Sequence, residues 1–258
     1  MKWTSVKDYH EMSRMGAEII YNAVAAKIAQ GKRFNLGLAT GNTMLELYPA
    51  LAKMFNENRT DLSKLYTYNL DEYVIDGKPV AHDHPLSYYT YMHENLFRHI
   101  DPSLGLTEDH IHFPDPVAPE KFDAELAAAG GIDLQLLGIG FNGHIAFNEP
   151  VSKDEITAEQ FAELPTRIVA LKAMTIATNS RLTAGNDDKL VPRHAVSMGM
   201  KPIVAAGKLL LLACFPEQAK PLTVMKHLDQ PTSELPASYL LTHQDSEIIY
   251  TADEITLG

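Results

Sequence analysis

Alternating apolar runs and amphipathic stretches predict an α/β fold with a doubly wound, mostly parallel sheet and helices on both faces. Three observations carry this prediction. Runs such as Leu209–Phe215 and Ile132–Ile139 are apolar at odd and even positions alike, as strands covered on both faces must be. Stretches with helical spacing separate them, as parallel crossovers require. Glycine-punctuated turns follow several strand ends, where open α/β sheets collect ligands.

Val6–Ala29 carries Tyr9, Met12, Ile19, Ile20, Val24 and Ile28 at helical spacing and stops at Gly31. Phe34–Ala39 reads as a strand, followed by a turn and a helix over Thr43–Phe55. Leu65–Asn69 is a second strand with Asp71 just past its end. A polar loop, Asp76–His84, leads into a helix over Leu86–Ile100. Glu120–Ala129 is helical and alanine-rich, closed by Gly130 and Gly131, and Ile132–Ile139 is the third strong strand. Later strand candidates are Arg167–Leu171, Ala195–Met198, Leu209–Phe215, Tyr239–Thr242 and Glu247–Thr251. The order is Rossmann-like. With no internal repeat and no low-complexity linker, residues 1–258 read as one domain.

The composition excludes several classes. A formal net charge of −11 argues against nonspecific binding to nucleic acid or an anionic membrane, yet leaves room for a local anion site. The one cysteine, Cys214, lies in the apolar run KLLLLACF, so no internal disulfide forms and the thiol reads as buried and inert. The start, MKWTSVKDYHEM, lacks the apolar core of a secretion signal, and the expected setting is reducing and cytoplasmic. His82-x-His84 and His110-x-His112 lack an obvious third ligand and read as surface histidines, so no metal site is expected.

Three constellations could carry chemistry. Leu137–Pro150, LGIGFNGHIAFNEP, presents Asn142, His144 and Glu149 within eight residues behind a buried-looking strand. A His beside a carboxylate is a group whose proton can be held near neutral pH. Gly138, Gly140 and Gly143 satisfy GxGxxG, but HIAFNEP shows no helical period and ends in proline, unlike a dinucleotide turn. Leu38–Thr43 places Thr40, Gly41, Asn42 and Thr43 between strand and helix, where a turn either binds an anion or simply caps the helix. Tyr68–Tyr73 puts Asp71 and Glu72 at a strand end; neighbours on an extended segment point to opposite faces, so at most one faces the crevice. Arg181 and Lys220 gain meaning only if the fold brings them to the Thr40 turn; Lys220 precedes Pro221 and so sits near a helix start.

In order, GLATGNT (Gly37–Thr43), YNLDEY (Tyr68–Tyr73), HPLSYY (His84–Tyr89), LGIGFNGHIAFNEP (Leu137–Pro150), NSR (Asn179–Arg181), the segment around Lys220 and LPASYL (Leu235–Leu240) resemble the glucosamine-6-phosphate deaminase/isomerase family. The resemblance runs from about residue 5 to the C-terminal end. It implies deamination and isomerisation of glucosamine 6-phosphate to fructose 6-phosphate and ammonia. Asp71 would be the general base and His144 would assist ring opening, tuned by Glu149 and Asn142. Thr40, Gly41, Asn42, Thr43, Arg181 and Lys220 would hold the phosphate. No metal and no redox cofactor is implied; the partner is a small amino-sugar phosphate, and since members occur as monomers and as larger assemblies, a homo-oligomer stays open. Departures are Asn42 where a glycine or serine is frequent, Met44 in place of proline, Asn142 where some members carry aspartate, a longer loop at Val74–Asp83, and an unusual stretch at Val151–Pro165, which is the candidate lid. Arg167 is present but Val169 takes a second basic position found in allosteric members, so activation by N-acetylglucosamine 6-phosphate is not expected. Galactosamine 6-phosphate as substrate, or a non-catalytic sugar-phosphate sensor, are the alternatives.

Overall fold

Apolar runs become the strands of a central sheet. The computed structural model describes residues 1–258. Its strands are β1 (Lys2–Val6), β2 (Phe34–Leu38), β3 (Leu65–Asn69), β4 (Asp71–Ile75), β5 (Lys78–Pro79), β6 (Ile111–His112), β7 (Leu134–Leu137), β8 (Arg167–Ala170), β9 (His194–Ser197), β10 (Leu209–Ala213) and β11 (Ser246–Thr251). The helices are α1 (Tyr9–Ile28), α2 (Leu47–Glu57), α3 (Tyr88–Asn95), α4 (Pro119–Ala128), α5 (Ala158–Ala162), α6 (Ala173–Thr183), α7 (Met200–Val204) and α8 (Ala219–Lys226).

Seven strands in the order β1-β11-β10-β7-β2-β3-β6 form the larger sheet, and every pair in it is parallel. All five residues of β2 and of β10 are buried, so helices and loops cover both faces. From β2 the chain builds outward through β3 and β6, then returns to add β7 on the other side of β2. The direction of winding thus reverses between β2 and β7, and a crevice opens at their carboxyl ends.

A second, antiparallel sheet has the order β5-β4-β9-β8. The two sheets join at Leu70. Its N–H donates to Leu38 O at 3.1 Å, and its carbonyl accepts from Met198 N at 2.6 Å. Asp71 follows at once and pairs with Ser197 of β9.

Several expectations need correction. Tyr239–Thr242 is not a strand; it lies in a 3-10 turn over Pro236–Thr242, opened by Pro236. Its apolar run is four residues long, too short for periodicity to separate strand from helix. The first helix begins at Tyr9, capped by Asp8, because Lys2–Val6 forms the parallel edge strand β1 on β11. The predicted helix over Thr43–Phe55 splits into a 3-10 turn at Asn42–Met44 and α2 from Leu47. Leu86–Ile100 likewise shortens to α3 plus a 3-10 turn at Phe97–His99. The polar loop Asp76–His84 hides the β4–β5 hairpin, turned at Asp76-Gly77. His110 and His112 are half-buried rather than superficial: their rings lie 3.9 Å from Tyr66 and 4.7 Å from Tyr68. No helix is long and apolar enough to cross a membrane.

The stretch Val151–Pro165, the candidate lid, contains α5 with a Thr157–Gln160 capping box. Phe161 is fully buried with Met200 and Tyr239, and the Tyr239 hydroxyl donates to Ala158 O at 2.6 Å. These contacts dock the segment onto the body.

Candidate active site

One cavity of about 170 Å3 sits at the crevice. Its walls come from the turn after β2 (Thr40–Thr43), the junction residue Asp71, the turn after β7 (Gly138–His144) and one face of α6. Tyr88, Phe147, Phe215 and Gln218 complete it.

The turn after β2 depends on Gly41, whose φ of 112° is open to glycine and strained for other residues. The Tyr9 hydroxyl donates to Asn42 O at 3.0 Å and the Tyr91 hydroxyl to Gly41 O at 2.7 Å. Both carbonyls are thereby tied back. Asn42 Nδ2 reaches Leu182 O at 3.4 Å, linking the turn to α6. The half-buried Cys214 lies next to Thr43, and burial pushes its thiol up to about 11.

Asp71 is 6 % exposed. Burial first, and the neighbouring Glu72 second, hold its carboxyl well above the ordinary carboxylate range. Asp71 lines the cavity and Glu72 does not, as strand alternation requires.

The turn after β7 holds a three-residue network. Asn142 Nδ2 donates to Glu149 Oε2 at 2.8 Å, while Asn142 Oδ1 accepts from the His144 backbone N–H at 3.1 Å. A carboxylate cannot donate and a backbone N–H cannot accept, so both partners fix the amide the same way round. His144 Nδ1 lies 2.8 Å from that Oδ1 and must therefore carry its proton. In the neutral ring Nε2 is then free to accept a proton. His144 packs so closely on Gly140 that a Cβ there would lie 2.2 Å from the ring.

Glu149 sits behind this pair and does not line the cavity. Its Oε1 accepts from the Thr175 hydroxyl and, at 3.3 Å, from Lys172 N, and its Oε2 is 3.5 Å from His144 Nδ1. Burial opposes its charge, but His144, Thr175 and Asn142 together outweigh burial and hold the carboxyl at about 2.

Arg181 and Lys220 stand outside the cavity lining. Arg181 pairs with Glu217 at 2.8 Å and lies 5.7 Å over the ring of Phe141, which does line it. Lys220 is exposed in the first turn of α8, as its place before Pro221 suggests.

Other lining residues lack an obvious motif. Met174, Thr175, Thr178, Asn179 and Leu182 recur at three- and four-residue intervals along α6. That spacing was the available signal, but the face is mixed polar and apolar and gives no hydrophobic stripe. Asn179 Nδ2 donates to the Tyr73 hydroxyl at 2.7 Å. Gln218 Nε2 donates to Ile139 O at 2.7 Å, and its Oε1 accepts from Cys214 N at 2.8 Å, joining the loops after β7 and β10.

A doubly wound parallel sheet that gathers a buried carboxylate, a tautomer-fixed histidine and a Thr-Gly-Asn-Thr turn around one cavity at its switch point defines the class: an α/β protein with its candidate site at the carboxyl ends of the strands. The chain belongs to the family described as glucosamine-6-phosphate isomerases/6-phosphogluconolactonase, whose sequence profile matches residues 7–250. It is 39% identical to glucosamine-6-phosphate deaminase 2 of Bacillus subtilis (strain 168), over 96% of this chain and 94% of that one. It is 36% identical to a glucosamine-6-phosphate deaminase of Thermoanaerobacter sp. (strain X514), over 100% of this chain and 95% of the relative. A solved monomeric glucosamine-6-phosphate deaminase superposes with a TM-score of 0.85 at 28% identity, covering 98% of both chains. A 6-phosphogluconolactonase from Trypanosoma brucei, 18% identical with a TM-score of 0.70 over 97% of this chain and 95% of that one, shares the fold.

Proposed function

We propose that the protein converts glucosamine 6-phosphate and water to fructose 6-phosphate and ammonia. One observation carries the reading: Asp71, His144 and the Thr40–Thr43 turn meet on one cavity in a chain 36% to 39% identical to deaminases of that name.

The phosphate lies on the Thr40–Thr43 turn, with Arg181 and Lys220 as nearby cations. Asn142 keeps the His144 proton on Nδ1, so Nε2 takes the anomeric hydroxyl proton and returns it to the ring oxygen as the C1–O5 bond opens. The Asp71 carboxylate removes the C2 proton of the open aldehyde, O1 takes up a proton to give the enolamine, and Asp71 delivers its proton to C1 as the amino nitrogen gives one up. An imine is left at C2 beside a C1 hydroxymethyl group, and water hydrolyses it to ketose and ammonia. The raised Asp71 carboxyl suits this task, since a base works best when its pKa approaches the working pH. Glu149 stays ionised and steadies the positive charge His144 acquires. The partner is a small amino-sugar phosphate. We read the chain as one functional domain, since the cavity draws on residues from Ala39 to Gln218. A reducing, cytoplasmic setting suits its single unpaired thiol.

The test is release of ammonia and ketose 6-phosphate from glucosamine 6-phosphate and galactosamine 6-phosphate, run side by side. The expected result is a much higher kcat/KM for the gluco epimer. Preference for the galacto epimer would keep the mechanism and implicate Asn42 in substrate choice. Tight binding without turnover of either would make the protein a sensor and overturn the reading.

A further inference from the structure

Glu72 is 3 % exposed and lies outside the cavity; beyond the charge by which it helps raise the Asp71 carboxyl, the chemistry above gives it no task. Its surroundings are nonetheless highly specified. Oε1 accepts from Tyr73 N at 2.8 Å and Tyr88 N at 3.0 Å; Oε2 accepts from Tyr89 N at 2.8 Å and the Ser87 hydroxyl at 3.3 Å. Every partner is a donor and none is a cation. Ser87 Oγ also accepts from Thr90 N at 3.2 Å, so the first three N–H groups of α3 are all satisfied. We propose that Glu72 is a positioning residue: its carboxylate clamps the first turn of α3 to the strand that carries Asp71, and so sets Tyr88 as the wall against which the sugar is held.

The chemistry of the clamp demands a carboxylate. Both oxygens face N–H donors, so an amide would aim its own NH2 at one of them. Aspartate is one methylene shorter. Tyr88, the first residue of α3, is the side chain the clamp places: it lines the cavity, stacks on Phe147 at 6.1 Å and donates to the Tyr73 hydroxyl at 3.4 Å. Glu72 and Asp71 are consecutive on β4, so one short strand fixes the proposed base on one face and the opposing wall through the other. The Thr40–Thr43 turn has one tie to α3, the Tyr91 hydroxyl on Gly41 O one turn beyond the clamped end, and two ties elsewhere, to Tyr9 and Leu182. Loosening the first turn of α3 should therefore misalign the sugar over Asp71 more than it weakens phosphate capture, which the ties to Tyr9 and Leu182 maintain.

The proposal rests on the deaminase reading for its activity measurement, and the test separates the two. Glu72→Gln should lower kcat for glucosamine 6-phosphate by ~100-fold, the penalty typical of a misplacement of about 1 Å, while KM changes by no more than about threefold. Tyr88→Ala, with Glu72 intact, should show the same kcat-selective loss. The double variant should be little worse than either single one, since both remove the same wall. Hydrogen exchange supplies a measurement independent of activity: the Tyr88 and Tyr89 amides should be protected in the native protein and exchange freely in Glu72→Gln. Equal protection in both proteins, additive losses, or Tyr88→Ala with native kcat would each overturn the proposal. If Glu72→Gln does not fold, Tyr88→Ala alone decides it. If the native protein turns over no amino-sugar phosphate, the deaminase reading fails, and the exchange comparison alone decides the clamp.

Discussion

Replacing Glu149 by glutamine should damage stability and catalysis through separable routes. In the folded protein the carboxyl titrates at about 2 against an ordinary value of 4.5. Between those pH values the unfolded chain holds more proton, so acid erodes the folded state; above 4.5 the full advantage is present. The gap corresponds to ~3 kcal/mol at neutral pH. Glutamine cannot ionise, so that contribution vanishes in the variant. The difference in denaturant midpoint between native and variant protein should therefore be large at about pH 7 and shrink steadily towards about pH 2.

The catalytic loss follows from hydrogen-bond direction. Glutamine keeps one acceptor and gains one NH2. Turned towards Asn142, that NH2 forces the Asn142 amide to flip and offer its own NH2 to His144, moving the imidazole proton to Nε2. Turned towards Thr175 and Lys172 N, it meets the backbone donor that Oε1 now accepts. The first orientation takes the proton off Nδ1; the second leaves the Lys172 N–H without an acceptor and removes the charge that steadies the imidazolium, and in either case kcat should fall by ~100-fold or more. Nitrogen NMR of the histidine ring reads the tautomer directly. A variant with native kcat, an Nδ1-protonated ring and a stability gap independent of pH would refute the reasoning.

Asp71→Asn should abolish turnover, by ~1000-fold or more, while sugar-phosphate affinity measured by calorimetry stays near native. Burial and Glu72 raise the Asp71 carboxyl, so kcat/KM of the native enzyme should climb with pH along a limb centred above the ordinary carboxylate range, as the base loses its proton. Gly140→Ala would set a Cβ 2.2 Å from the His144 ring; it should cut kcat by ~100-fold while the phosphate turn still binds, as inorganic phosphate titration would report. Phe161→Ala empties a fully buried site beside Tyr239 and should cost ~3–5 kcal/mol in denaturant unfolding.

What could be read from the sequence follows the physics of each element. The runs that became β2, β3, β7 and β10 are buried on both faces, so apolarity alone revealed them. β1 was hidden because KWTSV is a mostly exposed edge strand with little apolar signal. β4 was hidden because DEYVI opens with two acids that only the tertiary fold buries. α6 escaped because its inward face lines a cavity and carries threonines and an asparagine in place of a hydrophobic stripe. Asp71, Asn142 and His144 stood out singly as residue types at strand ends, and family resemblance joined them. The partners Thr175 and Gln218 come from distant segments that no local pattern marks, and Tyr88 falls in HPLSYY, a stretch that only the resemblance singled out. Arg181 and Lys220, which the resemblance assigns to the phosphate, stand outside the cavity lining, Arg181 paired with Glu217 and Lys220 exposed in the first turn of α8.

The junction at Leu70 explains why the proposed base stands where it does. A carboxylate at the open end of a parallel sheet would ordinarily be solvated, with an unremarkable pKa. Here the chain leaves β3, bonds once across to Leu38, and at the next residue pairs with Ser197 of the second sheet. Asp71 is thus wedged between two sheets while still facing the crevice, and burial becomes the main force raising its carboxyl. The same wedge brings the β4 backbone against α3, where Glu72 finds its donors. Burial of the base and placement of the opposing wall therefore have one cause, the change of sheet after β3. Polar insertions at Leu70 that let water into the seam should lower the Asp71 carboxyl and loosen the wall together, whereas changes in the larger sheet alone should do neither.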